Sequence, residues 1–167
     1  MLAGYFITLI LAAVLIVLCA RWPHTVGRLA LGWCFLLAGA VNLTLALVSP
    51  RMYVEGFGPT AIPLYQEFIE GPFARNPALF VVPIALGQLL CGLAVLFGRG
   101  NGVRWGAVGC MVFLVAITGL GVGCAFPANL AIAIAPALLL RHRFPHGALY
   151  GLHRKHHHPG GGIPAGR

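Results

Sequence analysis

No aspartate occurs in the 167 residues, and the three glutamates, Glu55, Glu67 and Glu70, fall within sixteen positions of one another. Charged residues make up only 8% of the chain, against roughly a quarter in an ordinary soluble domain. Both absences exclude a water-soluble globule, and they leave every long apolar run without an acidic side chain. The five cysteines, Cys19, Cys34, Cys91, Cys110 and Cys124, form no C-x-x-C pair and have no metal-ligand spacing, so they read as small apolar residues. No constellation of acid, base or nucleophile is present in the apolar runs. The sequence therefore names no catalytic residue and no metal site, and it argues against an enzyme.

Apolar surface is abundant: 59% of residues are hydrophobic and the mean hydropathy is +0.90. A span needs about 20 apolar residues at about 1.5 Å each to cross a hydrocarbon core of about 30 Å. Residues 2–20, 29–48 and 77–97 meet that demand. The stretch from Trp105 to Leu140 is thirty-six residues, about 54 Å as one helix and nearly twice the core. Gly119, Gly121, Gly123 and Pro127 break it into two expected spans, 105–122 and 125–141. The first run has no Lys or Arg before its apolar stretch, unlike a secretory signal, so it is expected to remain as a helix.

The net charge of +8 sits in loops and tail. Arg and Lys accumulate on the cytoplasmic side of a membrane. Five spans put Arg21, Arg28, Arg99, Arg104, Arg141, Arg143, Arg154, Lys155 and Arg167 on one side, nine in all, with Arg51 and Arg75 opposite. The expectation is an all-α polytopic membrane helix bundle of about five transmembrane helices, N-terminus outside and C-terminus inside, in a cell inner membrane. Residues 1–141 form the bundle, with an outer loop at 49–76. Residues 142–167 form a basic cytoplasmic tail rich in His, Gly and Pro. The cations flank apolar spans, which points to lipid headgroups and not to nucleic acid.

Within the outer loop, Leu64, Tyr65, Phe68 and Ile69 can share one helical face while Glu67 and Glu70 share another, so a short helix is expected as a lid on the bundle. Tyr65, Glu67 and Glu70 are its candidate functional residues. Hydrocarbon leaves a polar side chain within a span only other helices or a cavity to bond with. The set is Asn42, Thr44, Gln88, Thr118 and Asn129. Each carboxamide can donate and accept, so Asn42 and Gln88 can link the second and third spans. Asn42, Gln88 and Asn129 are the candidate intramembrane contacts, either as glue between helices or as lining of a ligand or solute path.

Arg28-Leu-Ala-Leu-Gly-Trp-Cys-Phe-Leu-Leu-Ala-Gly-Ala-Val-Asn42 with Ser49-Pro50, then Ala85-Leu-Gly-Gln-Leu-Leu-Cys-Gly-Leu-Ala-Val-Leu-Phe-Gly98 before Arg99, resembles the DoxX-like membrane family. The likeness covers about residues 28–141 and implies a four-helix core, with residues 1–20 as an added first helix. It also implies a link to terminal or thiosulfate:quinone oxidation and to membrane oxidoreductase assemblies. Family members often carry a Lys near the end of the first core helix and a Glu after the glycine of the next. Asn42 and Gln88 stand there in this sequence, so an amide pair replaces a charge pair.

The expectation for function is a noncatalytic or accessory subunit of a membrane redox assembly. A small-solute transporter or channel subunit and a structural assembly factor are the alternatives. No cofactor is evident from the residues, and quinone enters by the resemblance alone. Expected partners are the lipid bilayer, a membrane redox protein or a second copy of the chain.

Overall fold

The computed structural model describes residues 2–124, 126–146 and 148. The tail run at His156–His158 lies outside them. The described residues form a helical membrane bundle whose long helices are α1 (Leu2–Arg21), α2 (Val26–Val48), α5 (Pro77–Phe97), α6 (Asn101–Ala116) and α7 (Ala128–Leu139). Two short helices, α3 (Arg51–Phe57) and α4 (Pro63–Phe68), lie in the loop between α2 and α5. A wide-turned segment, Ile69–Phe73, follows α4, and a tight 3-10 segment, Ile117–Cys124, follows α6. Val26–Val48, Pro77–Phe97 and Asn101–Gly121 are long and apolar enough to cross a membrane, while Phe6–Arg21 and Ala128–Leu139 are shorter apolar helices.

Helix starts follow local chemistry. The Asn76 side chain accepts from the Leu79 amide and Pro77 occupies the first turn of α5, so one first-turn amide is capped and another never exists. α2 begins at Val26, three residues before the expected boundary, which brings Arg28 inside the helix.

The broadest helix contact is α2 on α5, and small residues set its register. A Cβ on Gly32 would lie 3.1 Å from the Gly92 carbonyl oxygen, and one on Gly39 would lie 3.1 Å from that of Ala85. Both pairs are seven residues apart and run in opposite senses, so the helices are antiparallel with backbones touching at two points. Association inside lipid draws on such close packing, because the solvent is as apolar as the side chains. Gly106 and Gly109 let α6 approach α5 at Cys91 in the same way.

α1 buries Ala12, Leu15 and Cys19 in a single stripe; the helix packs mainly on α7, and Cys19 Sγ meets the Gly27 carbonyl of α2 at 3.5 Å. Its other faces expose Phe6, Ile7, Ile10, Val14 and Val17, as expected of a helix solvated by lipid. Although α7 is only 12 residues long, it buries seven of them, so it fills the space between α1 and α6.

The two ends of the bundle differ. At one end lie the α3–α4 loop and Ile117–Cys124. At the other lie the α1–α2 turn, the α5–α6 turn and residues 141–146, which fold back as a strap: Gly100 N donates to Phe144 O at 2.7 Å. Phe144 is buried against the helices there.

Candidate functional site: an amide-floored cavity under the loop

Asn42 and Gln88 each stand one turn beyond the Gly39–Ala85 contact, on opposite helices. Side chains on a helix lean toward its N-terminus, so in an antiparallel pair these two lean toward each other. They meet: Asn42 Nδ2 donates to Gln88 Oε1 at 2.7 Å. The two threonines turn inward on their own helices, Thr44 to the Ala40 carbonyl and Thr118 to the Val115 carbonyl.

Above the amide pair is a cavity of about 500 Å³. Phe35, Ile84, Cys91 and Phe113 contribute to its walls, and the loop roofs it with Tyr53, Phe57, Tyr65, Phe68, Ile69 and Phe73. Gly87 also faces it, with open space where a Cβ would stand. The roof is tied down at several points. Tyr65 Oη donates to the Ala116 carbonyl at 2.8 Å, Thr60 Oγ1 to the Leu120 carbonyl at 2.9 Å, and Ile62 N to the Gly119 carbonyl at 3.0 Å. These carbonyls belong to the end of α6 and its 3-10 extension, where the helical ladder no longer satisfies them. Gly121 completes the closure with φ +71, and the Thr60 carbonyl occupies the place its Cβ would need.

Hydrogen bonds fix the polarity of the floor. Tyr53 Oη lies 3.1 Å from both the backbone carbonyl and Oδ1 of Asn42. Burial raises the Tyr53 phenol above its ordinary value, which keeps it a neutral donor. With the Asn42 oxygen facing Tyr53, its NH2 faces the Gln88 oxygen, and Gln88 is left with its own NH2 as the end of the chain. Gln88 is only 3% exposed and lines the cavity, and its Nε2 makes no hydrogen bond among the described residues. The cavity thus offers one amide donor in an aromatic surround.

The candidates read from sequence separate into groups. Asn42, Gln88 and Tyr65 come together around the cavity. Glu67 and Glu70 are exposed outside its lining, and Glu70 accepts from Gln66 Nε2 at 2.9 Å on the surface of the loop. Leu64 points away too, being 71% exposed. Asn129 is not among the cavity-lining residues. It is buried in α7, and neither atom of its amide has a hydrogen-bond partner. A buried amide left unpaired costs about 1–3 kcal/mol. Asn129→Leu, close in volume, is therefore expected to raise the unfolding free energy by about 1 kcal/mol, measured by reversible unfolding in mixed micelles; a loss of stability would show that the amide is satisfied in the membrane.

Two features escaped sequence reasoning. Cys91 and Cys110 are nineteen residues apart on different helices, yet Cys91 packs against the buried cluster that holds Cys110 at the α5–α6 contact. The other is Arg28, which counts from the sequence as a headgroup-facing cation. It is instead fully buried. Its Nε donates to Val95 O at 2.9 Å, Nη2 to Gly98 O at 2.9 Å and Leu96 O at 3.3 Å, and Nη1 to His146 O at 2.9 Å. The Phe144 ring lies over the guanidinium at 5.0 Å. One side chain thereby caps the end of α5, whose last carbonyls carry partial negative charge, and pins the strap. Only its position near a glycine-flanked helix start, Gly27 and Gly32, hinted at a crowded place.

No curated protein and no solved structure matches the chain. The DoxX family model matches residues 24–123, well over half of the sequence. That match takes in α2 through α6, including the amide pair, the loop roof and nearly all of the cavity lining, and leaves α1 and α7 outside it. On this match the chain belongs to the DoxX family.

Proposed function

We propose that this chain is an accessory subunit of an inner-membrane redox assembly and that its cavity holds the head of a quinone-class molecule. The observation that supports this reading is the unpaired Gln88 NH2 inside an aromatic cavity of about 500 Å³. Ligand sites of this kind are mostly apolar, with a few placed polar groups that set orientation. A quinone fits the chemistry: its flat ring suits Phe35, Phe113 and Phe68, and one ring carbonyl accepts from Gln88 Nε2. Asn42 and Tyr53 hold Gln88 in place. The quinone supplies the electron-accepting chemistry, while the protein binds and orients it and limits water at the head. The oxidising or reducing partner is a second membrane protein.

Gln88→Leu is expected to weaken binding of a short-chain benzoquinone by about 3–10-fold, the worth of one hydrogen bond, measured by equilibrium binding to the purified protein in detergent. Binding that never saturates, or that ignores Gln88→Leu, sinks the ligand reading. Co-purification from native membranes in mild detergent tests the partner. The solute-path alternative draws on Asn42, Gln88 and Asn129 together, and Asn129 lies apart from the other two.

A further inference from the structure

At the strap end of the bundle, cations crowd together with no carboxylate side chain among the described residues, since all three glutamates lie in the α3–α4 loop region. His24, in the α1–α2 turn, faces His142 of the strap with ring centroids 5.5 Å apart. Both rings stand against Phe144, at 5.1 Å and 6.4 Å. Phe144 in turn lies over Arg28. Arg28 of α2 and His142 of the strap are the groups whose charge acts on His24. Arg21 ends α1, Arg99 and Arg104 flank the α5–α6 turn, and Arg141, Arg143 and His146 lie on the strap itself.

The strap is held by neutral contacts and by one cation already in place. Gly100 N donates to Phe144 O, Ala148 N to Leu96 O at 3.4 Å, and Arg28 to His146 O. A neutral His24 edge to face with the His142 ring adds to this grip. A charged His24 beside the Arg28 guanidinium opposes it.

We propose that residues 141–146 form an acid-released latch, in which protonation of His24, facing the His142 ring, frees the strap from the bundle and uncovers Arg28. The direction follows from linkage. Burial, then His142, then Arg28 lower the His24 pKa below its ordinary value of 6.5. The released state therefore takes up its proton at a higher pH than the docked state does. Docking is at full strength above the ordinary histidine value and weakens as pH falls from there through the lowered one.

The Gly100 amide reports the latch, because its acceptor is Phe144 O. Its hydrogen exchange, divided by the intrinsic rate at each pH, is measured on the full chain in detergent. Protection is expected to fall about fivefold between about pH 7.5 and pH 5. His24→Gln and His142→Gln, at an exposed and a half-buried position, are each expected to flatten that decline without disturbing the core. Phe144→Ala is expected to remove protection at every pH. Constant protection in the unaltered chain overturns the proposal, as does a decline that persists in the His24→Gln/His142→Gln double variant. Full protection in Phe144→Ala overturns it as well, since the strap would not then be what shields Gly100.

Discussion

Replacing Arg28 with methionine is expected to lower the unfolding free energy by about 4 kcal/mol or more, read from reversible unfolding in mixed micelles. Four backbone carbonyls, of Val95, Leu96, Gly98 and His146, lose a charged donor at once, and Leu96 O keeps the longer bond from Ala148 N. A buried carbonyl without a partner costs about 1–3 kcal/mol, and hydrogen bonds to a charged donor exceed the usual net value. Methionine fills much of the volume, so the loss is of bonding more than of packing. The charge also matters by where it sits. On α2 it lies near a positive helix end, which is unfavourable, but it touches the negative end of α5, and the direct hydrogen bonds lie there. Arg28→Lys keeps the charge but offers a compact ammonium in place of a planar fork, so it is expected to recover no more than about half of the loss. A change below about 1 kcal/mol in Arg28→Met would mean that water or lipid serves these carbonyls equally well.

The second large effect is expected at the α2–α5 contact. A Cβ at Gly92 would lie 2.9 Å from the Gly32 carbonyl oxygen, a backbone atom that moves only if the helices part. Gly92→Leu is expected to cost about 3 kcal/mol or more, at the upper end of overpacking effects. Parting the helices would also stretch the Asn42–Gln88 bond, so benzoquinone binding should fall with stability. Gly87 provides the contrast on the same helix. It meets nothing within 4 Å, and Gly87→Ala is expected to gain about 0.5–1 kcal/mol from helix propensity alone. Equal losses at the two glycines would show that helix propensity, not backbone approach, governs this contact.

How far such features can be read from sequence depends on what kind of physics sets them. Long apolar runs are local, and α2 and α5 follow them closely. The Asn42–Gln88 bond is legible because two carboxamides in neighbouring apolar helices have few other groups to meet. The cavity above them is not legible, because its roof depends on how Tyr53, Phe57 and Phe73 are turned by a loop that changes helical pitch at Ile69. Arg28 is misread for a different reason. A count of cations by side treats each as a charge at a membrane edge, whereas its role comes from the carbonyls of Val95 to Gly98, about seventy residues away. The cysteines share that difficulty, since Cys91 packs against the cluster that holds Cys110 only once α6 has closed on α5.

The pairing of α1 with α7 carries a consequence for how the protein is made. These are the first and last long helices described, and α1 makes its broadest contact with α7. A ribosome adding roughly 5–20 residues per second inserts α7 several seconds or more after α1. Through that interval α1 leans on α2 at the Cys19–Gly27 contact while the rest of its stripe faces lipid, so the bundle closes only when its final helix enters, and a nascent chain stalled before Ala128 should leave Ala12 and Leu15 exposed to lipid.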